Sequence, residues 1–183
     1  MDSSYSDGVF YKSNTIFNPF IKKVTENIIP GMVIDFGCGV GTNIYNLQMA
    51  GWSVYGVERE PIAVKKAREM LGGACIIDSD VNELDFNYLP YFDLALCNYM
   101  LQHLTKREAI KLLDNLSTRI NRRAYFILSF FDEREGITFL EIEAKLRQIG
   151  WELKKIKRWE RLDTSHGLPH THKGIESFWE IEK

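Results

Sequence analysis

Short apolar runs alternate with amphipathic segments along most of this 183-residue chain. The runs are partly β-branched and bounded by turn residues, which is typical of buried strands. They are MVIDFG (32–37), SVYGVE (53–58), ACIIDSD (74–80), DLALCN (93–98) and AYFILSF (124–130). In the segments 43–50, 61–71 and 106–120, apolar residues recur three and four positions apart, which predicts helices. Strict alternation of strand and helix predicts right-handed crossovers and a parallel sheet covered on both faces.

Residues at the ends of these segments support the helices. Pro61 opens the second one, and Thr105 with Glu108 forms a capping box before the third. A further helix is expected around 18–28, ahead of the first strand.

The C-terminal part breaks the alternation. Segment 139–150 is predicted to be a helix closed by Gly150, and 151–163 and 176–183 are predicted to be strands joined by a histidine-rich loop. Strands joined by a loop instead of a helix pair antiparallel, so the sheet should be mixed at one edge.

Composition narrows the class of protein. The chain has 45% apolar and 26% charged residues, ordinary values for one soluble domain, and we expect 1–183 to form a single unit. A formal charge of −2 gives no general attraction to nucleic acid or to a membrane surface. The three cysteines form no CxxC pair, and no segment resembles a leader or a membrane span, so a cytoplasmic protein is expected.

The turn DFGCGVGT, after the first predicted strand, carries the strongest chemical signal. In a doubly wound sheet this turn usually contacts the ligand. A dinucleotide site would need GxGxxG, but Thr42 stands where the third glycine belongs. Asp35 would repel a pyrophosphate and attract a cation. S-adenosylmethionine has an ammonium, a sulfonium and no phosphate, so it fits better than a nicotinamide dinucleotide.

Acids at the ends of the next two strands extend this site. Glu58 is placed to accept hydrogen bonds from both ribose hydroxyls, which are common to either ligand. Asp80, in DSDVNEL, is placed to accept a hydrogen bond from an adenine amino group, although an ordinary strand-end turn would look similar.

Together these motifs resemble those of the class I S-adenosylmethionine-dependent methyltransferases. VIDFGCGVGT resembles the family's first motif, VYGVERE its ribose-binding acid, DSDVNEL its adenine-contacting stretch and FDLALCNYMLQHL its fourth-strand motif. The match runs from about residue 30 to residue 130, in the family's order. It implies a Rossmann-like α/β fold: a doubly wound, mostly parallel sheet of seven strands whose last strand is antiparallel. It also implies three parts, an N-terminal helical lid (1–30), a cofactor-binding core (31–130) and a C-terminal helix and hairpin (131–183).

The resemblance also implies roles for individual residues, with S-adenosylmethionine as cofactor and S-adenosylhomocysteine as product. The methionine portion would be held by Asp35 and the glycine turn, the ribose by Glu58, and the adenine by Asp80 and Val81. Residues from Asn98 to Leu101 would lie against the cofactor and the incoming nucleophile. The full set of expected cofactor-binding residues is Asp35, Gly37, Cys38, Gly39, Gly41, Glu58, Arg59, Asp80, Val81 and Asn98.

Histidines are the other candidates for chemistry. His103, after the fourth strand, is a candidate general base, needed only if the acceptor is a hydroxyl or a protonated amine. His166, His170 and His172 could line the substrate pocket, bind a divalent ion or simply belong to a polar loop. Their spacing would let the imidazoles converge, but helix-based HExxH spacing is absent, so they are weak metal candidates and no metal is expected.

The acceptor is less constrained by the sequence than the cofactor. A short N-terminal lid bearing Tyr5 and Tyr11, with no inserted cap or RNA-binding domain, favours a small-molecule substrate. NYML (98–101) lacks the prolines of the Asn-Pro-Pro-Tyr signature, which disfavours methylation of nucleic acid or protein amides. An RNA or protein methyltransferase and a noncatalytic cofactor-binding subunit remain the alternatives. The sequence does not predict the oligomeric state.

Overall fold

The structure is a computed structural model that describes residues 18–72, 76–131, 136–163 and 170–183. These residues contain seven strands and five α-helices. The strands are β1 (Met32–Phe36), β2 (Ser53–Glu58), β3 (Ile76–Asp78), β4 (Phe92–Asn98), β5 (Ile120–Phe131), β6 (Glu152–Asp163) and β7 (His170–Glu182). The helices are α1 (Pro19–Asn27), α2 (Thr42–Met49), α3 (Pro61–Met70), α4 (Lys106–Ser117) and α5 (Phe139–Gln148).

The strands form one sheet in the order β3-β2-β1-β4-β5-β7-β6. The pairs from β3 to β5 are parallel, and β7 is antiparallel to both of its neighbours, β5 and β6. The predicted mixed edge and antiparallel last strand are therefore confirmed. The last strand is not itself at the edge, because β6 lies outside it.

Two apolar cores, one on each face of the sheet, confirm the doubly wound arrangement. Helices α1, α2 and α3 bury residues such as Ile21, Leu47 and Ala67 against one face. Helices α4 and α5 bury Leu113 and Ile142 against the other. Continuous apolar strands fit this arrangement, because both of their faces are covered.

Two predicted boundaries differ from those in the structure. The helix predicted over 106–120 ends at Ser117, where the N–H of Thr118 bonds to the carbonyl of Asn115, and Ile120 already belongs to β5. The last strand begins at His170 and not at residue 176, because β6 supplies pairing partners as far as Asp163. The capping box of Thr105 and Glu108 is confirmed.

Within the described ranges, no helix has the length and apolar character needed to cross a bilayer.

Candidate active site

The turn after β1 is shaped by its glycines. Gly37, Gly39 and Gly41 all have positive φ, at 71°, 56° and 88°, a region that favours glycine. The N–H groups of Gly37 and Cys38 both donate to the carbonyl of Val57, which fixes the turn to the neighbouring strand. A methyl group on Gly39 would meet no atom within 4 Å, so this part of the turn is open to a ligand.

Asp35 is the unusual group in this turn. It lies in β1, is 1% exposed, and neither carboxylate oxygen has a hydrogen-bond partner in the part of the chain described. Burial, and then the negative charge of Glu58, raise its pKa to about 7, although the nearby Asn43 side chain partly opposes them. A buried carboxylate without a partner is costly, so this site favours a ligand that brings a cation or strong donors.

Glu58 is held by the backbone at the end of β2. One oxygen accepts the N–H of Gly39 at 2.9 Å, and the other accepts the N–H groups of Arg59 and Glu60, both at 2.9 Å. These bonds tie the carboxylate to the glycine turn. Of the four acceptor sites of a carboxylate, one remains for a ligand hydroxyl, on the oxygen that accepts the N–H of Gly39.

Asp80 lies beyond β3 and is engaged on both oxygens. One accepts the N–H of Asn82 at 2.9 Å and the other pairs with the Arg59 guanidinium at 2.7 Å. These contacts hold the pKa of Asp80 below its usual value. Arg59 thus links the acids at the ends of β2 and β3, and Val81 packs beside them against the core.

Asn98, at the end of β4, belongs to a polar cluster that the sequence analysis missed. Its side-chain oxygen accepts from the amide of Asn18 at 3.2 Å and from the hydroxyl of Ser129 at 2.8 Å. Asn18 also caps α1 by accepting the N–H of Phe20. The Asn18-Pro19 pair is a helix-start signal that could have flagged this residue, but its reach to Asn98 depends on tertiary structure.

The side chain of Cys38, in the glycine turn, packs towards β2. It is buried, and its sulfur packs over Gly56, where a methyl group would lie only 2.7 Å from it. Burial raises the pKa of this thiol well above its usual range. Contact with a ligand is therefore expected through its backbone only.

The remaining candidates are spread more widely. His103 is exposed in a short 3₁₀ turn, Leu101–His103, after β4. His172 lies in β7 with its ring 5.2 Å from that of Phe131, and His170 begins the same strand. Both therefore belong to a strand and not to the expected loop. Tyr5, Tyr11 and His166 lie outside the described residues, and among those that are described no metal-binding cluster of three His, Cys, Asp or Glu occurs.

Close packing at Gly37 gives a test of the turn. A methyl group there would lie 2.7 Å from Cγ of Met100, and φ is already positive. We expect Gly37→Ala to lower the free energy of unfolding by roughly 2–4 kcal/mol, measured by urea denaturation. Gly72→Ala is the matched control, because Gly72 has φ of 68° but nothing within 4 Å. Equal losses in the two variants would contradict a close contact between Met100 and the turn.

Comparison with known proteins agrees with this geometry. A family model described as a methyltransferase domain matches residues 33–122. An uncharacterised methyltransferase of Anoxybacillus flavithermus is 29% identical over 192 aligned residues, covering 99% of this chain and 87% of that protein. Another, from Geobacillus sp., is 30% identical over 149 residues, covering 80% of this chain and 67% of that protein.

A solved structure shows the same fold. Magnesium protoporphyrin IX methyltransferase from Synechocystis, with S-adenosylmethionine bound, matches with a TM-score of 0.65 and 22% identity over 91% of this chain and 79% of that one.

The chain belongs to the class I S-adenosylmethionine-dependent methyltransferases. It is accordingly a methyltransferase enzyme with S-adenosylmethionine as its cofactor. The partnerless Asp35 and the open Gly39 fit a cationic ligand without phosphate. The contacts of individual residues with the cofactor stay predictions.

Proposed function

We propose that this enzyme transfers a methyl group to a small-molecule acceptor. The proposal rests on the mixture of buried polar residues and aromatic rings at the carboxyl ends of β4 and β5. We call this part of the site the acceptor side. Asn18 and Ser129 are buried there around Asn98, and half-buried aromatic rings follow. A partly apolar surface with buried polar groups suits a small organic molecule better than a polymer.

Charge pairing on β6 also disfavours nucleic acid. Two of its basic residues pair with acids: Lys154 lies 2.7 Å from Glu152, and Lys157 lies 3.7 Å from Glu176. On β7, Lys173 lies 3.5 Å from Glu160. Such pairs lower the positive potential that phosphate binding requires. The Synechocystis relative, whose name gives it a porphyrin as substrate, is consistent with this proposal.

Each part of the cofactor would meet a different element of the site. Asp35 and the glycine turn would hold the methionine portion, Glu58 the ribose, and Asp80 with Val81 the adenine. The cofactor supplies an already electrophilic methyl group on a sulfonium, ready for direct in-line displacement. The protein therefore mainly has to orient the acceptor and exclude water.

Residues after β4 would perform that orientation. Asn98 is fixed by Asn18 and Ser129, so its side chain presents a rigid polar edge to the acceptor. His103 remains the candidate base for an acceptor that must lose a proton.

We also propose that the enzyme is cytoplasmic. Cys38 and Cys97 are buried free thiols in the described chain, as expected in a reducing compartment.

The test is a label-transfer assay with methyl-labelled S-adenosylmethionine and a cell extract, followed by separation of small molecules, RNA and protein. We expect label among the small molecules, with wild type and His103→Asn compared in parallel. Label in RNA or protein would overturn the proposal in favour of a macromolecular acceptor. Cofactor binding in calorimetry without any transfer would instead indicate an accessory subunit.

A further inference from the structure

A row of polar side chains crosses four strands at the acceptor side. Asn98 on β4 pairs with Ser129 on β5, Ser129 with Glu176 on β7, and Glu176 with Lys157 on β6. Neighbouring strands lie about 4.8 Å apart, so Glu176 is about 10 Å from Asn98, the length of a small organic molecule. None of the sequence motifs described above includes Glu176.

Glu176 is almost completely enclosed. It is 4% exposed, and its Oε2 atom has no hydrogen-bond partner among the residues described. Among the described residues its ion-pair partner is Lys157, whose Nζ lies 3.7 Å away, on an exposed side chain of the edge strand. Burial raises the pKa of Glu176, and Lys157 only partly opposes this effect. The carboxylate therefore has an unused acceptor oxygen.

Aromatic rings lie in the next row, beside Glu176. Phe131 and Trp159 both pair with Gly174, and because Gly174 has no side chain the Trp159 indole lies across it. The ring of Phe131 is 4.7 Å from that of Tyr99 and 5.8 Å from that of Trp159. All three rings are half-buried. We call Tyr99, Phe131 and Trp159 the aromatic wall.

Buried polar groups without a well-formed hydrogen bond surround the same place. The Tyr99 hydroxyl, the Trp159 indole N–H and the Asn98 amide nitrogen are buried and make no hydrogen bond of normal geometry to the described chain. The Tyr99 hydroxyl lies near Ser129 and Trp159, which lower the Tyr99 pKa, but burial has the larger effect and raises it to about 12. Tyr99 also has a positive φ of 54°, held by the bond from its N–H to the Ser129 carbonyl. Strained backbone and unsatisfied buried groups concentrate at binding sites.

We propose that Glu176 and the aromatic wall form the acceptor subsite, and that it binds an aromatic compound carrying a hydrogen-bond-donating hydroxyl or ring N–H. The ring of the ligand packs on the wall, its donor group bonds to Oε2 of Glu176, and an acceptor atom takes the indole N–H of Trp159. One ligand of this kind satisfies the carboxylate and at least one donor together. The inference rests on the proposed small-molecule function.

The test uses two matched pairs of probes: 2-naphthol with 2-methoxynaphthalene, and benzimidazole with 1-methylbenzimidazole. The second member of each pair lacks the donor. The readout is the ¹⁵N-¹H signal of the Trp159 indole, assigned with Trp159→Phe. Trp52, Trp151 and Trp179, each no more than 2% exposed, serve as internal references.

We expect the donor-bearing probe of at least one pair to shift the Trp159 signal and to bind at least tenfold more tightly than its methylated partner. The pair that discriminates tells hydroxyl from ring N–H. In Glu176→Leu the preference should fall to within about twofold. Glu182→Leu, on the same strand and face but at its far end, should keep it. Glu176→Gln, which keeps the shape, should fall between, and thermal melting checks that each variant folds.

Three results would overturn the subsite. They are equal binding within both probe pairs, no shift of the Trp159 signal, and an unchanged preference in a folded Glu176→Leu or Glu176→Gln. Because the probes need no methyl transfer, such a result would leave the cofactor affinity and the label-transfer assay standing. Failure of those assays would instead count against the proposed function.

Discussion

Asp35→Asn should make the protein more stable and at the same time abolish tight cofactor binding. Burial with no hydrogen-bond partner in the described chain raises the pKa of Asp35 to about 7. One pKa unit corresponds to about 1.4 kcal/mol, so the ionised group costs the folded state on the order of 4 kcal/mol at pH 8. A buried amide also loses hydration, so we expect a net gain of roughly 1–3 kcal/mol.

Stability and cofactor affinity depend on the ionisation of Asp35 in opposite directions. Between about pH 4 and pH 7 the folded state of wild type binds more protons at Asp35 than the unfolded state does, so this group makes stability fall as pH rises through that window. Asp35→Asn removes this contribution. For cofactor binding the sign is opposite: a cation needs the carboxylate, so affinity should fall about tenfold per pH unit below about 7.

Urea denaturation at pH 5 and pH 8 would measure the change in stability. Calorimetric titration with S-adenosylmethionine between pH 5.5 and pH 8 would measure the change in affinity. Asp114→Asn, a half-buried acid on α4 paired with Lys145, is the control and should leave cofactor affinity unchanged and alter stability by no more than about 1 kcal/mol. Cofactor affinity in Asp35→Asn equal to wild type would show that Asp35 does not hold the cation.

Glu58→Ala should weaken cofactor binding by about a hundredfold and, unlike Asp35→Asn, should also destabilise the fold. Glu58 accepts three backbone N–H groups, including that of Gly39 in the glycine turn, and all three lose their acceptor. We expect a loss of roughly 1–3 kcal/mol in the free energy of unfolding. Loss of the ribose contact and of the turn geometry act together on affinity.

Glu58→Gln refines this result. Its carbonyl oxygen can replace only part of the acceptor capacity, so cofactor affinity should fall about tenfold. Glu60→Ala is the control, because Glu60 is exposed and gives no side-chain hydrogen bond to the start of α3. Calorimetry and urea denaturation measure all three variants; a stable Glu58→Ala with unchanged affinity would contradict both roles.

Local patterns were sufficient for most of the fold. The apolar runs and the glycine turn are signals within one segment, so β1, β2 and β4 were predicted close to their observed bounds. The position of β7 between β5 and β6 was not predictable in this way, because strand order depends on contacts between distant segments. The histidine segment was assigned to a loop for the same reason: its strand pairing depends on the length of β6.

The candidate site divides along similar lines. Asp35 and Glu58 follow a spacing that sequence alone displays, whereas Glu176 sits in an unremarkable strand sequence. Only the cross-strand row places Glu176 beside Ser129 and near Asn98. The residues predicted to bind the cofactor can therefore be identified from the sequence alone. The proposed acceptor subsite depends on tertiary structure.

The strand order has a consequence for biosynthesis. Among the described strands, β6 has a hydrogen-bonded neighbour only in β7, which the ribosome makes after it, and β5 also lacks one of its two neighbours until β7 is made. The first five strands can assemble as the nascent chain emerges, since domains tend to fold from the N-terminus during synthesis. β6 must wait, with its edge unpaired and open to association with other chains. Translation of this last segment is thus the stage at which the polypeptide is most exposed to aggregation, and at which a chaperone would be of most use.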